Sequence, residues 1–151
     1  MKPAVSVAVV AICSADHLRR CLSALMRQEG APPFEIAVAY DPELREINEV
    51  AEVFPAIRFI ANFGQRTPLE LASRAIQATR GDIVLLTEDH CVPAPDWVRS
   101  MMSELRDGRA AVGGVVDIGA DATPTDWAFY FVDFFRYADP IADGPSSTLT
   151  V

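Results

Sequence analysis

The sequence predicts an α/β fold in which a mainly parallel sheet is covered by helices on both faces. Residues 5–12, VSVAVVAI, form a continuous apolar run rich in β-branched residues, which is typical of a strand buried on both sides. Runs of this kind alternate with amphipathic helical patterns, and that alternation implies right-handed crossovers between parallel strands. The length of 151 residues suits one domain with a substantial core.

The first predicted helix follows this strand directly. Ser14 or Asp16 can cap its start, and Gly30 with the pair Pro32 and Pro33 ends it. Its apolar residues recur at helical spacing on one side: Leu18, Cys21, Leu22, Leu25 and Met26.

A second strand is predicted over residues 34–40 and a short third strand over residues 57–60. Between them, Pro42 is expected to open a helix. The inner side of that helix carries the apolar residues Leu44, Ile47, Ala51 and Phe54.

A further helix is predicted over residues 68–79. Thr67, Pro68 and Glu70 have the spacing of a capping box with proline in the first turn. A fourth strand is then expected over residues 82–86, and a fifth over residues 110–116. Asp96 is expected to cap the helix between them, whose inner residues are Val98, Met101, Met102 and Leu105.

The pattern changes after Gly119, so we expect one domain over residues 1–119 and a separate segment over residues 120–151. A polar loop is followed by an aromatic-rich stretch: Trp127, Phe129, Tyr130, Phe131, Phe134, Phe135 and Tyr137. These rings are best interpreted as core. A platform for a second substrate and a membrane-surface patch stay open.

Composition limits the classes of function. The net charge of −8 argues against nucleic-acid binding, because an acidic surface repels phosphates. Binding of a small phosphorylated ligand would then need a local positive charge, such as a metal ion, to offset that repulsion. The three cysteines lack a CxxC spacing, which favours reduced thiols. No apolar run approaches the roughly 18 residues of a membrane span, so we expect a cytoplasmic protein.

Polar residues follow the predicted strands where a parallel sheet binds ligands, beyond the carboxyl ends. Cys13 and Ser14 follow the first strand, Asp41 the second, and Asn62 the third. The fourth is followed by the run Thr-Glu-Asp-His at residues 87–90. We therefore expect these side chains to share one edge of the molecule.

Each of these residues also has a structural interpretation. The carboxylates and imidazole of residues 88–90 suit Mg²⁺ or Mn²⁺, but they also suit a solvated turn. Asp41 can bind a ligand or cap the following helix. Arg66 can meet a phosphate or lie in a surface turn.

Taken together, these stretches resemble the nucleotide-binding, N-terminal portion of family 2 glycosyltransferases, which have the Rossmann-like GT-A fold. Residues 25–28, Leu-Met-Arg-Gln, match the Leu-x-x-Gln signature of that family. Tyr40 and Asp41 stand where the family has an aspartate pair that holds the base, and keep the second member. Residues 88–90 occupy the place of the Asp-x-Asp motif, and Pro93, Asp96 and Trp97 match the following turn and helix start.

The resemblance implies an inverting transferase that moves a sugar from a nucleotide-diphosphate sugar, most simply a UDP-sugar, to an acceptor hydroxyl. Asp89 and His90 would hold Mn²⁺ or Mg²⁺. Residues expected to contact the donor are Cys13, Ser14, Asp41, Arg66, Glu88 and Asp89. Residues 1–119 would then bind the nucleotide sugar, and residues 120–151 would start the acceptor region.

The resemblance leaves several points open. The acceptor can be a glycan, a lipid or a protein, and the family context suggests cell-envelope polysaccharide. Contact with the inner face of the membrane and homo-oligomerisation also stay open. His90 replaces the last aspartate of the family motif, and no residue after Gly119 matches the catalytic base. We therefore assign no catalytic residue, and expect a C-terminal part that is truncated or atypical.

Two other functions are compatible with this pattern. A sugar nucleotidyltransferase shares a related sheet and a metal, but residues 10–20, VAICSADHLRR, lack the glycine-rich phosphate loop of that class. A non-catalytic nucleotide-binding or assembly module could dock through residues 127–137. Binding of UDP-sugar with and without manganese would separate these alternatives.

Overall fold

The computed structural model describes residues 2–64, 67–105, 110–119 and 122–134. The chain divides into two compact units, Met1–Met102 and Ser103–Val151. The boundary predicted between residues 119 and 120 concerns binding function and stays a prediction.

The first unit contains a four-stranded, all-parallel sheet with the order β3-β2-β1-β4. The strands are β1 (Val5–Ala11), β2 (Phe34–Tyr40), β3 (Arg58–Ala61) and β4 (Ile83–Glu88). The helices that connect them are α1 (Ala15–Leu25), α2 (Ile47–Val53) and α3 (Pro68–Gln77), and α4 (Trp97–Leu105) follows β4.

Helices cover both faces of this sheet, as predicted. Helix α3 packs on β1 and β2, whereas α1 packs beside α2. Since α1 connects strands in one direction across the sheet and α3 in the other, right-handed crossovers place them on opposite faces. The α/β fold class is therefore confirmed.

The position of β1 in the core explains why its sequence is continuously apolar. Every residue of β1 is buried, because β1 lies between β2 and β4 and is covered above and below. On the face of α3, the small side chains Ala8, Ala39 and Ala75 cluster with Val10 and Leu71. This close packing holds the strand ends in a rigid frame.

Two predicted helix starts are confirmed in detail. The Ser14 hydroxyl accepts a hydrogen bond from the His17 N–H at the start of α1. The Thr67 hydroxyl accepts one from the Glu70 N–H at the start of α3, with Pro68 in the first turn. Both side chains satisfy N–H groups that have no partner within the helix.

The start predicted for the second helix at Pro42 was wrong, because α2 begins at Ile47. The Asp41 carboxylate accepts a hydrogen bond from the Glu43 N–H, and the Asp41 carbonyl accepts one from Leu44, so the chain forms a local turn. Glu46 then has φ 62°, a left-handed conformation that a helix cannot pass through.

The predicted fifth strand is also absent, because residues 110–119 form neither a helix nor a strand. Gly113 and Gly114 lie in the middle of this segment, and glycine weakens strand formation. The fourth strand, in contrast, runs two residues further than predicted and ends at Glu88.

The second unit contains α5 (Pro124–Asp133), which begins with a capping box between Thr123 and Asp126. The Tyr130 hydroxyl donates a hydrogen bond to the Val116 carbonyl at 2.9 Å, and its ring contacts Trp127 and Phe131. Tyr130 is buried, but Trp127, Phe129 and Phe131 are exposed. The prediction of a core segment therefore holds for Tyr130 and not for these three rings.

Two further predictions concern the last aromatic residues and membrane-spanning helices. Phe135 and Tyr137 lie outside the described residues. Within the described part of the chain, no helix combines the length and the apolar character needed to cross a bilayer.

Candidate functional site

The carboxyl edge of the sheet collects the polar residues that the sequence singles out. Ala11 of β1 pairs with Tyr40 of β2, and Val10 pairs with Glu88 of β4, so the three strands end level with one another. Since neighbouring strands are about 4.8 Å apart, the ends of β2 and β4 lie about 10 Å apart across β1. Arg66, which was expected to join them, lies outside the described residues.

The edge between β1 and β4 is a topological switch point. From β1 the chain moves through β2 to β3, and it then crosses back to form β4 on the other side of β1. Connections that leave in opposite directions open a crevice, where open α/β sheets bind ligands. Cys13 and Ser14 border this crevice on one side, and Glu88, Asp89 and His90 border it on the other.

Asp89 links the two sides of the crevice. Its side chain is completely buried. One carboxylate oxygen, Oδ2, accepts hydrogen bonds from the Ile12 N–H at 3.0 Å and the Cys13 N–H at 2.8 Å. The Asp89 N–H donates to the Val10 carbonyl at 2.9 Å. Asp89 therefore holds the turn between β1 and α1 against the end of β4.

This structural role of Asp89 was not predicted from the sequence. Local sequence does not reveal it, because the N–H partners lie 76 and 77 positions away in the chain. Only the parallel pairing of β1 with β4 brings them together.

The second carboxylate oxygen of Asp89 accepts no hydrogen bond from the part of the chain that the structure describes. Oδ1 is the one buried side-chain oxygen or nitrogen without such a partner among the described residues. It faces His90 Nδ1 at 3.8 Å. Since buried polar atoms are nearly always paired, this oxygen is expected to meet a ligand or an ion.

His90 completes a compact group of donor atoms. Its Nδ1 lies 3.5 Å from Glu88 Oε2 and 3.7 Å from Cys13 Sγ. Ligand atoms of Cys13, Asp89 and His90 all lie within 4.8 Å of one another. An unpaired carboxylate oxygen, an imidazole and a thiol fit a divalent cation at this position.

The ionisation of this group reflects its mutual contacts. The facing Asp89 carboxylate, whose Oδ1 lies 3.8 Å from Nδ1, is the main cause that raises the pKa of His90 to about 11. Burial raises the pKa of Asp89, but the nearby His90 imidazole and the hydrogen bonds from the N–H groups of Cys13 and Ile12 outweigh burial and lower that pKa. Burial and the nearby Asp89 charge raise the pKa of Cys13. The site therefore favours a positive charge next to the carboxylate.

Asp41 lies at the same edge, after β2. Its carboxylate accepts the Glu43 N–H at 2.9 Å, so it stabilises the turn after β2 and does not cap α2. The neighbouring Tyr40 carbonyl accepts the N–H of Asn62, which is buried at the end of β3. A role of Asp41 in holding a base stays a prediction.

Gln28 is a site-supporting residue whose role the sequence did not reveal. Its side-chain carbonyl accepts the Val98 N–H at 2.8 Å, and its amide donates to the Ala94 carbonyl at 2.7 Å. The turn after α1 therefore holds the loop that follows residues 88–90. The matched signature of residues 25–28 was the one available signal, and it did not show what Gln28 contacts.

A surface depression elsewhere does not belong to this site. It has a volume of about 420 Å³ and lies beside the amino end of β2, lined in part by Leu25, Pro32 and Phe34. None of the predicted site residues that the structure describes lines it. Parallel sheets bind ligands at the carboxyl edge, so we place the functional site there.

Comparison with known families decides the classification. The model of glycosyl transferase family 2 matches residues 6–146. The chain belongs to glycosyl transferase family 2. The resemblance in the sequence is thus confirmed, and the parallel sheet with its helices is the GT-A fold of this family. No curated protein matches the sequence significantly.

Solved structures show the same fold. S. aureus TarS 1-349 in complex with UDP superposes with a TM-score of 0.65 at 16% identity, covering 82% of this chain and 38% of that chain. Mannosyltransferase PcManGT from Pyrobaculum calidifontis, in complex with GDP-Man and Mn²⁺, gives 0.62 at 21% identity, covering 80% and 37%. The chain therefore spans less than two fifths of the length of each of these two chains.

A third similar structure is named as a synthase. It is a 4-diphosphocytidyl-2C-methyl-D-erythritol synthase, with a TM-score of 0.51 and 21% identity, covering 82% of this chain and 63% of that chain. At these identities the likeness shows the fold alone.

Proposed function

We propose that this chain is the donor-binding part of an inverting glycosyltransferase that uses a nucleotide-diphosphate sugar. The observation that carries the proposal is the crevice between β1 and β4. It combines the buried Asp89, one oxygen of which accepts no hydrogen bond from the described residues, and the start of α1 at one switch point. A helix start and a cation site together suit a diphosphate. Membership in the family supports the same chemistry.

Each predicted site residue receives a role in this proposal. Asp41 contacts the base, most simply uracil, and the backbone at Cys13 and Ser14 lines the nucleotide pocket. Arg66 contacts a phosphate. Asp89 and His90 would hold a divalent cation, Mn²⁺ or Mg²⁺, and Glu88 would contact the donor. When bound, such a cation supplies charge neutralisation for the leaving diphosphate.

The protein as a whole needs this neutralisation. With a net charge of −8, the chain repels a nucleoside diphosphate at long range. Binding must therefore depend on local groups, namely the backbone N–H groups at the start of α1 and the cation held at the crevice.

The transfer itself is proposed as a direct displacement. An acceptor hydroxyl attacks the anomeric carbon, the bond to the diphosphate breaks, and a general base takes the hydroxyl proton. We assign no residue to that base. Residues 120–151 are proposed as the start of the acceptor region, with a glycan, a lipid or a protein as acceptor.

Calorimetric titration with UDP, in the presence and absence of Mn²⁺, tests the proposal. We expect binding that Mn²⁺ strengthens and that Asp41→Asn weakens by about tenfold, which corresponds to about 1.4 kcal/mol. Asp82→Asn is the matched control, because Asp82 is exposed and precedes β4 at the opposite edge of the sheet. The proposal fails if UDP does not bind, or if both variants reduce the affinity equally.

A sugar nucleotidyltransferase is the second candidate function. The likeness to the diphosphocytidyl-methylerythritol synthase favours it, although that likeness shows the fold alone. Release of pyrophosphate from UTP or CTP in the presence of a sugar phosphate would support this candidate. Binding of UDP without pyrophosphate release or sugar transfer would instead support a non-catalytic nucleotide-binding module.

A further inference from the structure

We propose that Cys13, Asp89 and His90 form a binding site for a thiolate-preferring divalent cation such as Zn²⁺ or Co²⁺. This inference deepens the proposed function, on which it depends for its biological role, because it names the kind of cation that the crevice selects. The site lies between the β1–α1 turn and the end of β4.

The spacing of the donor atoms supports a tetrahedral ion. His90 Nδ1 lies 3.7 Å from Cys13 Sγ, 3.8 Å from Asp89 Oδ1 and 3.5 Å from Glu88 Oε2. Tetrahedral zinc with bonds of about 2.0–2.3 Å separates its ligand atoms by about 3.4–3.6 Å. The separations from His90 Nδ1 differ from these values by only a few tenths of an ångström, and the ligand atoms of Cys13, Asp89 and His90 all lie within 4.8 Å of one another, so side-chain rotations would bring them around one ion.

The buried oxygen of Asp89 supplies independent support. The side chain has no exposed surface, and its Oδ2 already accepts two backbone N–H groups. Oδ1 points toward His90 without a hydrogen-bond partner among the described residues. An ion between Oδ1, the imidazole and the thiol would satisfy this oxygen, which is otherwise costly to bury.

The identity of the donors decides which cation is preferred. Mg²⁺ requires near-octahedral oxygen ligands, and Mn²⁺ also prefers oxygen. Here a thiol and an imidazole stand beside one buried carboxylate, which is a set that favours Zn²⁺ or Co²⁺. His90 and Cys13 are both exposed to solvent, so a fourth position can take Glu88, water or a diphosphate oxygen.

Titration of the full chain with Co²⁺, in the absence of nucleotide, tests the site directly. We expect one equivalent to bind and to produce a thiolate-to-cobalt charge-transfer band together with strong visible bands of tetrahedral cobalt. Zn²⁺ should displace the cobalt, whereas an excess of Mg²⁺ should not.

Variants identify the thiolate. Cys13→Ser should remove the charge-transfer band, and His90→Ala should weaken cobalt binding by at least about tenfold. Cys91→Ser is the matched comparison, because this second thiol also interacts with His90 but lies outside the close group of ligand atoms. It should keep the band. Circular dichroism of each variant would show that it is folded.

Several results would overturn the inference. These are the absence of a charge-transfer band, its persistence in Cys13→Ser, or its loss in Cys91→Ser alone. Tighter binding of Mn²⁺ than of Zn²⁺ would also contradict it. The last contradicting result concerns the NMR signals of the His90 imidazole. If these signals show a charged ring and do not change when Zn²⁺ is added, His90 forms an ion pair with Asp89 and not a metal site.

The two proposals can fail separately. Cobalt binding without affinity for UDP would contradict the proposed function and leave the metal site intact. Binding of UDP to a protein that takes no cobalt would contradict the metal site and leave the proposed function intact.

Discussion

Asp89 shows how one side chain can support both the fold and the site. Its Oδ2 holds the backbone of Ile12 and Cys13, whereas Oδ1 is left for another partner. Loss of the carboxylate would therefore disturb the β1–α1 turn as well as the proposed cation site. For this reason Asp41 and His90, which are less buried, are the better positions for testing binding.

Glu35 is a second carboxylate that ties separate segments together, at the opposite edge of the sheet. It accepts hydrogen bonds from the Ser6 hydroxyl at 2.9 Å, the Arg80 N–H at 2.6 Å and the Arg80 guanidinium at 2.6 and 2.9 Å. Burial raises the pKa of Glu35, but the hydrogen bonds from Arg80 and Ser6 outweigh it and lower the pKa below its usual value.

This lowered pKa predicts a pH-dependent contribution to stability. The contribution is fully present above the unfolded pKa of about 4.3 and is lost as the pH falls through the lower folded pKa. Urea denaturation of the wild type and Glu35→Gln should therefore show a difference in unfolding free energy that shrinks between about pH 6 and about pH 3.

A control separates this effect from general surface charge. Glu52→Gln changes an exposed residue of α2 and should alter the unfolding free energy at neutral pH by no more than about 0.5 kcal/mol. A Glu35→Gln difference that stays constant with pH would contradict the role of the ionised carboxylate.

At the scale of elements, the connections between helices and strands depend on single close contacts. Gly81 lies in the turn between α3 and β4, and its N–H donates to the Ser6 hydroxyl at 2.8 Å. A Cβ atom at this position would lie 2.6 Å from Ser6 Oγ and 2.8 Å from the backbone of Val5 and Ser6. The turn therefore requires glycine for space.

Gly81→Ala should destabilise the protein by about 1–3 kcal/mol, because the backbone of β1 cannot move away within the sheet. Gly64→Ala is the matched control, since among the described residues its Cβ would meet Asn62 Oδ1 alone, at an ordinary 3.4 Å. Denaturation midpoints measure both effects. Equal stability of the two variants would show that the turn between α3 and β4 can accommodate a Cβ atom at residue 81.

The junction between α1 and the loop after β4 depends on Gln28. Gln28→Ala removes the acceptor for the Val98 N–H and the donor to the Ala94 carbonyl, so we expect a loss of about 1–3 kcal/mol. Gln77→Ala, on exposed α3 surface, should change stability by less than about 0.5 kcal/mol. Urea denaturation measures the unfolding free energy of both variants. An unchanged unfolding free energy in Gln28→Ala would contradict the proposed importance of these two hydrogen bonds.

For the whole molecule, the strongly acidic charge separates nucleotide binding from nucleic-acid binding. A net charge of −8 opposes a polyanion at every contact, whereas a nucleoside diphosphate needs only the local groups of the crevice. Under the proposed function, we therefore expect the chain to bind a nucleoside diphosphate and not a nucleic acid.

This difference can be measured by thermal denaturation in the presence of a divalent cation. UDP at ten times its dissociation constant should add about 1.4 kcal/mol to the unfolding free energy and raise the midpoint. Oligouridylate at the same uridine concentration should leave the midpoint unchanged. Stabilisation by oligouridylate that weakens with salt would instead indicate an RNA-binding surface.

Much of the fold could be read from local patterns. Four apolar runs predicted the four strands, and the caps Ser14 and Thr67 marked two helix starts, because both signals depend on neighbours within a few residues. The predictions of a fifth strand and of a helix start at Pro42 were wrong. In the first case glycines lie within the apolar run, and in the second an aspartate turn and the left-handed Glu46 precede the helix.

For the site, the sequence specified which polar residues follow each strand, since that order is local. Which atoms of those residues meet depended on pairing between segments far apart in the chain. The parallel pairing of β1 with β4 buries Asp89, gives Oδ2 two backbone partners and turns Oδ1 toward His90 and Cys13. Such contacts exist only after long-range packing, because a side chain's burial and partners depend on strands that the chain adds many residues later.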